Sequence, residues 1–596
     1  MLCVIFRSVS TPEKGYRLNR SRDSLLRDTG FILGSTPAPG VGGGAPASTI
    51  VEAQAAYAYS ATDGRIAQIS NPQIPNQAFT YQYLPNSDLI EKVTGPIDTV
   101  TNSHEPNRDV LDLKQNKVGT TTISSYDYAV NAIGQRTGVA TSGSAFPAVP
   151  SWLWSYDALG QVIAADSSVA TSDRAYQYDA IGNRIQARDG VTTATGTPNY
   201  TANALNQYTS FPSLASVPSY DFDGNMTSGP LPVSPTTNST LTWDAENRLT
   251  EVKNASATTL EKNLFDAGSR KIATTAHGIT TLYLYDGWNC IAEYTRSVGV
   301  SPTLQKTRLW GTDLRGSMQG AGGVGGMLSE FSPITYNPIT FNSSYPTYNG
   351  NGNVREYLDS TGQITAHYEY DPFGNTVVNT DTSNQFAYRF STKPLAFATS
   401  LYYYGYRYYD PLTGRWPSRD PIEEKGGLNL HGFVGNDGVN KWDLLGQLFG
   451  FDLDYTQNLQ IGGCFAFPAF PAISICITGG FTVTIDECCK DSERKQLSTV
   501  SGDVNIYIAL QTPQPLSFSY TKGSVTSSQG TPPPCPDEGG DWNGSIFVGV
   551  NLGFFNQQWT YDEGQWSSAT SAQLSPIAGK VVYGGGTLSI LKRTLN

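Results

Sequence analysis

The chain has 596 residues, with 60 Gly, 35 Pro, 34 Tyr and only 15% charged residues, a balance that favours turn-rich β structure over helices. A net charge of −12 and a pI near 4.9 argue against a nucleic-acid surface, because phosphate binding is supplied mainly by Lys and Arg. No run of about 18 or more apolar residues occurs, so no transmembrane helix is expected.

In chain order, residues 1–50 read as linker or disorder, because they carry a Gly/Pro-rich stretch ending in Gly42-Gly43-Gly44. The first residues run from apolar to basic, the reverse of a secretory signal's order, so no signal peptide is visible.

Residues 51–345 carry a recurring phrase: Tyr156-Asp157-Ala-Leu-Gly160-Gln161, Tyr178-Asp179-Ala-Ile-Gly182-Asn183-Arg184, Tyr220-Asp221-Phe-Asp-Gly224-Asn225, Trp243-Asp244-Ala-Glu-Asn247-Arg248 and Phe265-Asp266-Ala-Gly-Ser269-Arg270. Several spacings are 20 to 23 residues, the period of a stacked supersecondary unit. Each unit reads as an aromatic strand, an Asp-x-x-Gly-Asn turn and a second strand, hence a β-hairpin. Weaker copies around Tyr57, Tyr81 and Tyr126 extend the array towards the N-terminus. The turn reading is preferred to a calcium loop, whose alternating acidic ligands are missing from the phrase. The Arg that follows is expected to stack on an aromatic ring or pair with the repeat Asp. Units with one apolar face must stack, so the expected product is a curved, repeat-built β sheet, part of a shell.

At Gly320-Ala-Gly322-Gly-Val-Gly325 the chain spells a dinucleotide fingerprint, but without a helix pattern or βαβ context, so a bend or close backbone approach inside a sheet is expected. No cofactor and no metal site is predicted. Residues 346–447 follow, with Tyr370-Asp371-Pro372-Phe373-Gly374-Asn375 and then the long segment Gly405–Gly446.

These residues resemble the rearrangement hotspot (RHS) and Tyr-Asp-repeat proteins, which include the C components of insecticidal Tc toxins and bacterial polymorphic toxins. The likeness covers roughly residues 55–447 and rests on the repeat phrase, Leu309-Trp310-Gly311 with its glycine stretch, and above all the Gly405–Gly446 segment. It implies a β cocoon of repeats closed by an RHS repeat-associated core, which plugs one end and cuts itself after a D-P-x-G-L motif by aspartyl-type chemistry. The implied catalytic residues are Arg407, Asp420 and Asp443, with the cut between Gln447 and Leu448. Leu444 stands where the family has proline, and Gln447 where it has the final leucine.

The residue types suit that chemistry. Two close carboxylates cannot both ionise cheaply, so one holds a proton as acid while the other activates water as base. Arg407 can steady charge on the carbonyl oxygen or hold a carboxylate in place. From spacing alone, Asp420 before Pro421 also reads as a turn initiator and Asp443 as a strand-end cap.

Residues 448–596 read as a separate, mostly β domain, the place of the variable effector in the resembled family, and its activity is not legible. Of seven cysteines, Cys464, Cys476, Cys488, Cys489 and Cys535 fall there, where disulfides and free buried thiols stay equally open.

The leading expectation is a secreted or cell-surface bacterial shell protein that encloses its own C-terminal polypeptide as cargo and releases it by self-cleavage. An upstream shell portion or partner chain and an immunity protein are the implied partners. The alternative is a non-enzymatic surface protein whose aromatic repeat faces bind glycans or neighbouring cells.

Overall fold

The computed structural model describes residues 14–447, apart from residue 26 and residues 38–49, 147–150, 213–216, 299 and 337–338, and beyond them seven strands of the C-terminal quarter. The chain divides into two compact units, Met1–Gly450 and Phe451–Asn596. It is mostly β, with large antiparallel, curved sheets that do not close into barrels.

In the first unit, strands pair with their sequence neighbours. One sheet of 14 strands runs from Lys14–Arg22 to Arg184–Asp189, and a second of 14 from Ser219–Tyr220 to Thr376–Asn379. This nearest-neighbour order follows from the turn phrase. In most of these turns the Asp Oδ1 accepts the backbone N–H groups two and four residues on: Asp179 from Ile181 at 3.0 Å and Asn183 at 2.8 Å, Asp371 from Phe373 at 2.9 Å and Asn375 at 3.0 Å. The fourth position of the turn takes a left-handed backbone, φ +85° at Gly182 and +88° at Gly374, which glycine adopts at little cost. Asp Oδ2 is then free for the next side chain, Asn183 at 2.8 Å or the Arg248 guanidinium at 2.8 Å. Arg248 also lies over the Phe265 ring at 5.2 Å, so the repeat arginine both pairs and stacks. Asp179→Ala removes three accepted hydrogen bonds at once and is expected to cost about 1–2 kcal/mol, readable as a lowered urea midpoint of the first unit.

Residues 1–50 need a correction. Lys14–Arg22 and Asp28–Pro37 are paired strands at the start of the first sheet, not linker. The alternation of buried Phe31 and Leu33 with exposed Ile32 supplies the inward face that the glycine-rich neighbourhood obscured. Residues 1–13 and 38–49 lie outside the described residues.

The two large sheets meet face to face. Gln77 Nε2 donates to the Tyr345 hydroxyl at 2.6 Å, the Tyr294 hydroxyl to Glu52 at 2.9 Å, and the Ser124 hydroxyl to Glu356 at 2.8 Å. One continuous apolar cluster draws Phe79, Tyr126 and Tyr176 from the first sheet, Tyr345 and Tyr357 from the second, and Tyr404, Trp416 and Phe433 from the segment that follows. The Tyr content thus serves packing, with ring faces buried and several hydroxyls hydrogen-bonded, as that of Tyr357 to the Tyr388 carbonyl at 2.9 Å.

That following segment is a compact cap. Its strands Leu395–Ala396, Leu401–Tyr403 and Tyr408–Tyr409 form a small antiparallel sheet. It sits on the ends of the repeat turns: Asn436 Nδ2 donates to the Gly182 carbonyl at 2.8 Å, and Arg415 Nη2 to the Asn206 carbonyl at 2.6 Å. The hairpin turns therefore build the wall and also present the carbonyls on which the cap is seated.

The glycine fingerprint lies outside the sheet, in the loop between the strands Thr303–Trp310 and Met327–Tyr336. The expected close backbone approach is present: a Cβ at Gly322 would lie 2.0 Å from the Leu444 carbonyl oxygen. In the second unit, Ile461–Phe467, Phe470–Thr484, Thr499–Leu510 and Gly586–Ile590 form one antiparallel sheet, and Ile546–Asn551, Phe555–Asp562 and Gln565–Ala572 another. In the first of these, Cys464 falls opposite Cys476 in register. Cys290 is a buried free thiol, whereas Cys3, Cys488, Cys489 and Cys535 lie outside the described residues.

Candidate functional site

Arg407, Asp420 and Asp443, separated by up to 36 positions in the chain, converge in the interior of the cap, and all three are buried. Arg407 Nη2 donates to Asp420 Oδ2 at 2.7 Å and lies 3.9 Å from Asp443 Oδ2, so both carboxylates address one guanidinium nitrogen. Its Nη1 donates to the Leu430 carbonyl at 3.1 Å, and its Nε to the carbonyl of Gly446. The guanidinium carbon rests 4.2 Å above the centroid of Trp416. Five separate contacts thus fix a side chain that would otherwise be flexible.

Local structure explains each position. Arg407 lies in the turn between the strands Leu401–Tyr403 and Tyr408–Tyr409, closed by the Tyr404 N–H donating to the Arg407 carbonyl at 3.0 Å. Asp420 starts a turn, accepting the Ile422 N–H at 3.0 Å through Oδ1, so the turn-initiator reading of this residue also holds. Asp443 heads a turn of the repeat type. Trp442-Asp443-Leu-Leu-Gly446-Gln447 has the same form as Tyr156-Asp157-Ala-Leu-Gly160-Gln161. Asp443 Oδ1 accepts the N–H groups of Leu445 and Gln447, each at 3.1 Å, and that of Gly446 at 2.6 Å, while Gly446 has φ +76°.

What differs is Oδ2. In the repeats it is taken by the side chain four residues on, as by Gln161 Nε2 on Asp157 at 2.7 Å, whereas Asp443 turns this oxygen towards Arg407. A structural turn aspartate has become one of a pair of buried acids. Burial pushes the Asp443 carboxyl up to about 6, with Arg407 and the Gly446 N–H opposing and Asp420 adding to the rise. Burial also pulls the Arg407 guanidinium down, against both carboxylates. The arrangement holds a buried carboxyl of raised proton affinity, a second carboxyl paired with Arg407, and the guanidinium itself beside the backbone that leads into Gln447. Leu448 lies outside the described residues.

Sequence reasoning brought these three side chains together and missed two others. Trp416 supports the guanidinium, and the Lys393 ammonium donates at 2.8 Å to the carbonyls of both Gly322 and Leu444. Gly322, read as a bend or a close backbone approach, is the position against which Leu444 packs. The available signal was the repeat phrase at Trp442–Gln447, which marks a turn whose backbone must be held from outside. Among the described residues no group of His, Cys, Asp and Glu is arranged to hold a metal ion, and no helix is long and apolar enough to cross a membrane, which says nothing of β-barrels.

No family model matches the chain. It is 42% identical over 98 residues to toxin subunit YenC1 of Yersinia entomophaga, covering 16% of this chain and 10% of that protein. It is 30% identical over 239 residues to the tRNA3(Ser)-specific nuclease WapA of Bacillus spizizenii, covering 39% and 9%. In fold it is similar to the Photorhabdus luminescens Tc holotoxin pore, with a TM-score of 0.53 and 17% identity over 75% of this chain and 25% of that one. The TcdB2-TccC3-TEV crystal structure gives a TM-score of 0.52 and 19% identity over 73% and 23%. The chain therefore spans about a tenth of these two curated relatives and about a quarter of these solved chains. It is similar to Tc toxin subunits, in sequence over part of its length and in fold over most of it.

Proposed function

We propose that this chain is the closing part of an RHS-type toxin shell that frees its C-terminal polypeptide by single-turnover, aspartyl-type self-cleavage between Gln447 and Leu448. The observation that carries this reading is the sharing of the Arg407 Nη2 nitrogen by Asp420 and Asp443 immediately beside the turn that ends in Gln447. Asp420, as a carboxylate, takes a proton from water as the oxygen attacks the Gln447 carbonyl carbon. Arg407 steadies the negative charge that develops. Asp443 passes its proton to the leaving nitrogen as the C–N bond breaks, and one water is consumed overall. The proton taken up by Asp420 returns to solvent, and no cofactor is required. Because the bond belongs to the same chain, folding itself supplies the alignment.

The freed segment, residues 451–596 with its short lead, is the cargo, and secretion, a partner chain or upstream shell portion and an immunity protein belong to the same proposal. Likeness to Tc toxin subunits supports the toxin context, and the face-to-face sheets with their seated cap support a closed end for a larger enclosure.

The test is the pH dependence. Full-length chain recovered under denaturing conditions is refolded by dilution at a series of pH values, and the cleaved fraction is followed on gels. An acid with its proton affinity raised to about 6 is active below that value, so cleavage should slow as pH rises through about 6 and fall about tenfold per further unit. A rate that rises with pH across this window would exclude Asp443 as the proton donor.

A further inference from the structure

Lys393 is a buried lysine that the three-residue site does not use. Its ammonium donates to two backbone carbonyls, Gly322 and Leu444, each at 2.8 Å, and lies over the Tyr404 ring at 5.3 Å. A lysine taken out of water without a directly paired carboxylate is costly, and burial pulls it down to about 8, with Asp443 and Asp313 opposing. The backbone that presents it is also strained. Ser391 and Thr392, immediately before it, both have positive φ, +49° and +51°, a region that non-glycine residues occupy only at a cost.

The strained turn is fixed from two sides. The Thr392 hydroxyl donates to the Gly352 carbonyl at 2.7 Å and accepts the Gly325 N–H at 2.8 Å. The glycine loop is held in turn by Asp313, which accepts the Ala321 N–H at 2.5 Å and the Gly323 N–H at 3.3 Å. Two loops distant in sequence thus converge on one carbonyl, that of Leu444, inside the Asp443–Gln447 turn.

We infer that Lys393, backed by Gly322, is a positioning residue for the self-cleavage. It clamps the Leu444 carbonyl so that the Asp443 carboxyl and the peptide after Gly446 stay aligned under Arg407. Five groups form the electrostatic setting of the Asp443 carboxyl: Arg407, Asp420, Lys393 and Tyr404 act with Asp443, and Asp313 acts on Lys393. The inference rests on the self-cleavage reading.

Its test is the refolding assay at a series of pH values on Lys393→Met, Lys393→Gln and Lys393→Arg beside wild type. Lys393→Met, which loses donor and charge, should cleave about tenfold to a hundredfold more slowly. Its pH midpoint should move above that of wild type, because removing a nearby cation raises the proton affinity of Asp443. Lys393→Gln keeps a donor for the carbonyls, so it should regain part of the rate while its midpoint stays raised. Lys393→Arg should keep the wild-type midpoint. Slowed cleavage with an unmoved midpoint in both Met and Gln variants would reduce Lys393 to a packing role and overturn the inference. Should the Met variant fail to fold, the Gln and Arg midpoints decide by the same reading. Wild type that stays intact at every pH would instead remove the self-cleavage reading itself.

Discussion

Asp443→Asn is expected to leave the refolded chain in one piece, with self-cleavage slowed at least about a hundredfold. Asparagine keeps the acceptor that caps the turn, so the three N–H groups now bonded to Asp443 Oδ1 retain a partner and the fold should persist. What is lost is the proton that a carboxyl raised to about 6 can deliver. Asp420→Asn should be equally silent for a different reason. It keeps the turn that accepts the Ile422 N–H but removes the carboxylate that pairs with Arg407 and takes the proton from water. The informative comparison is with Asp157→Asn, the same residue in the same kind of turn, whose Oδ2 is occupied by Gln161. That variant should cleave like wild type. Cleavage lost in all three would mean that turn stability, rather than acid chemistry, governs the reaction.

The second large effect is expected at Trp416. The ring is almost fully buried and meets Tyr404, Tyr409 and Phe433 with centroids 5.1, 5.4 and 5.6 Å away, while its face supports Arg407. Trp416→Ala opens a cavity in the centre of the cap and should cost about 3–5 kcal/mol. It also removes a cation–π contact of about 1–2 kcal/mol that keeps the guanidinium under both carboxylates. Urea unfolding in the Asp443→Asn background, where the chain stays whole, should show the lowered midpoint. Trp416→Ala alone should refold poorly and cleave slowly. Trp416→Phe, which keeps an aromatic face, should recover most of the stability. A Trp416→Ala chain as stable as the parent would contradict the packing on which the site is built.

The repeat shell was legible because its code is local. One aspartate caps its own turn, the next aromatic opens the next strand, and a period of about 22 residues follows without long-range information. The strands Lys14–Arg22 and Asp28–Pro37 share the capping turn, since Asp23 Oδ1 accepts the Leu25 and Arg27 N–H groups and Oδ2 pairs with Arg27, but that turn has neither a leading aromatic nor a glycine and lies near glycine-rich sequence, so it was not read; alternation at Phe31 and Leu33 was a second signal. At the site, Arg407, Asp420 and Asp443 were reached through resemblance, since carboxylates before turns are common and spacing alone did not separate chemistry from capping. Geometry leaves room for both readings: one oxygen of Asp443 caps its turn and the other faces Arg407. Lys393 was not legible, and at Gly322 the glycine run signalled a close approach but not its partner. Both contacts with Leu444 are made across 51 and 122 positions of chain, and no local pattern names such a partner.

The most direct measurement is the intact mass of purified wild-type chain under denaturing conditions, beside Asp420→Asn and Asp443→Asn. Two fragments meeting at Gln447 and Leu448, whose masses sum to the 64.3 kDa chain plus one water, are expected for wild type, and a single full-length mass for each variant. A single full-length mass for folded wild type would contradict the account and leave the cap as a structural plug.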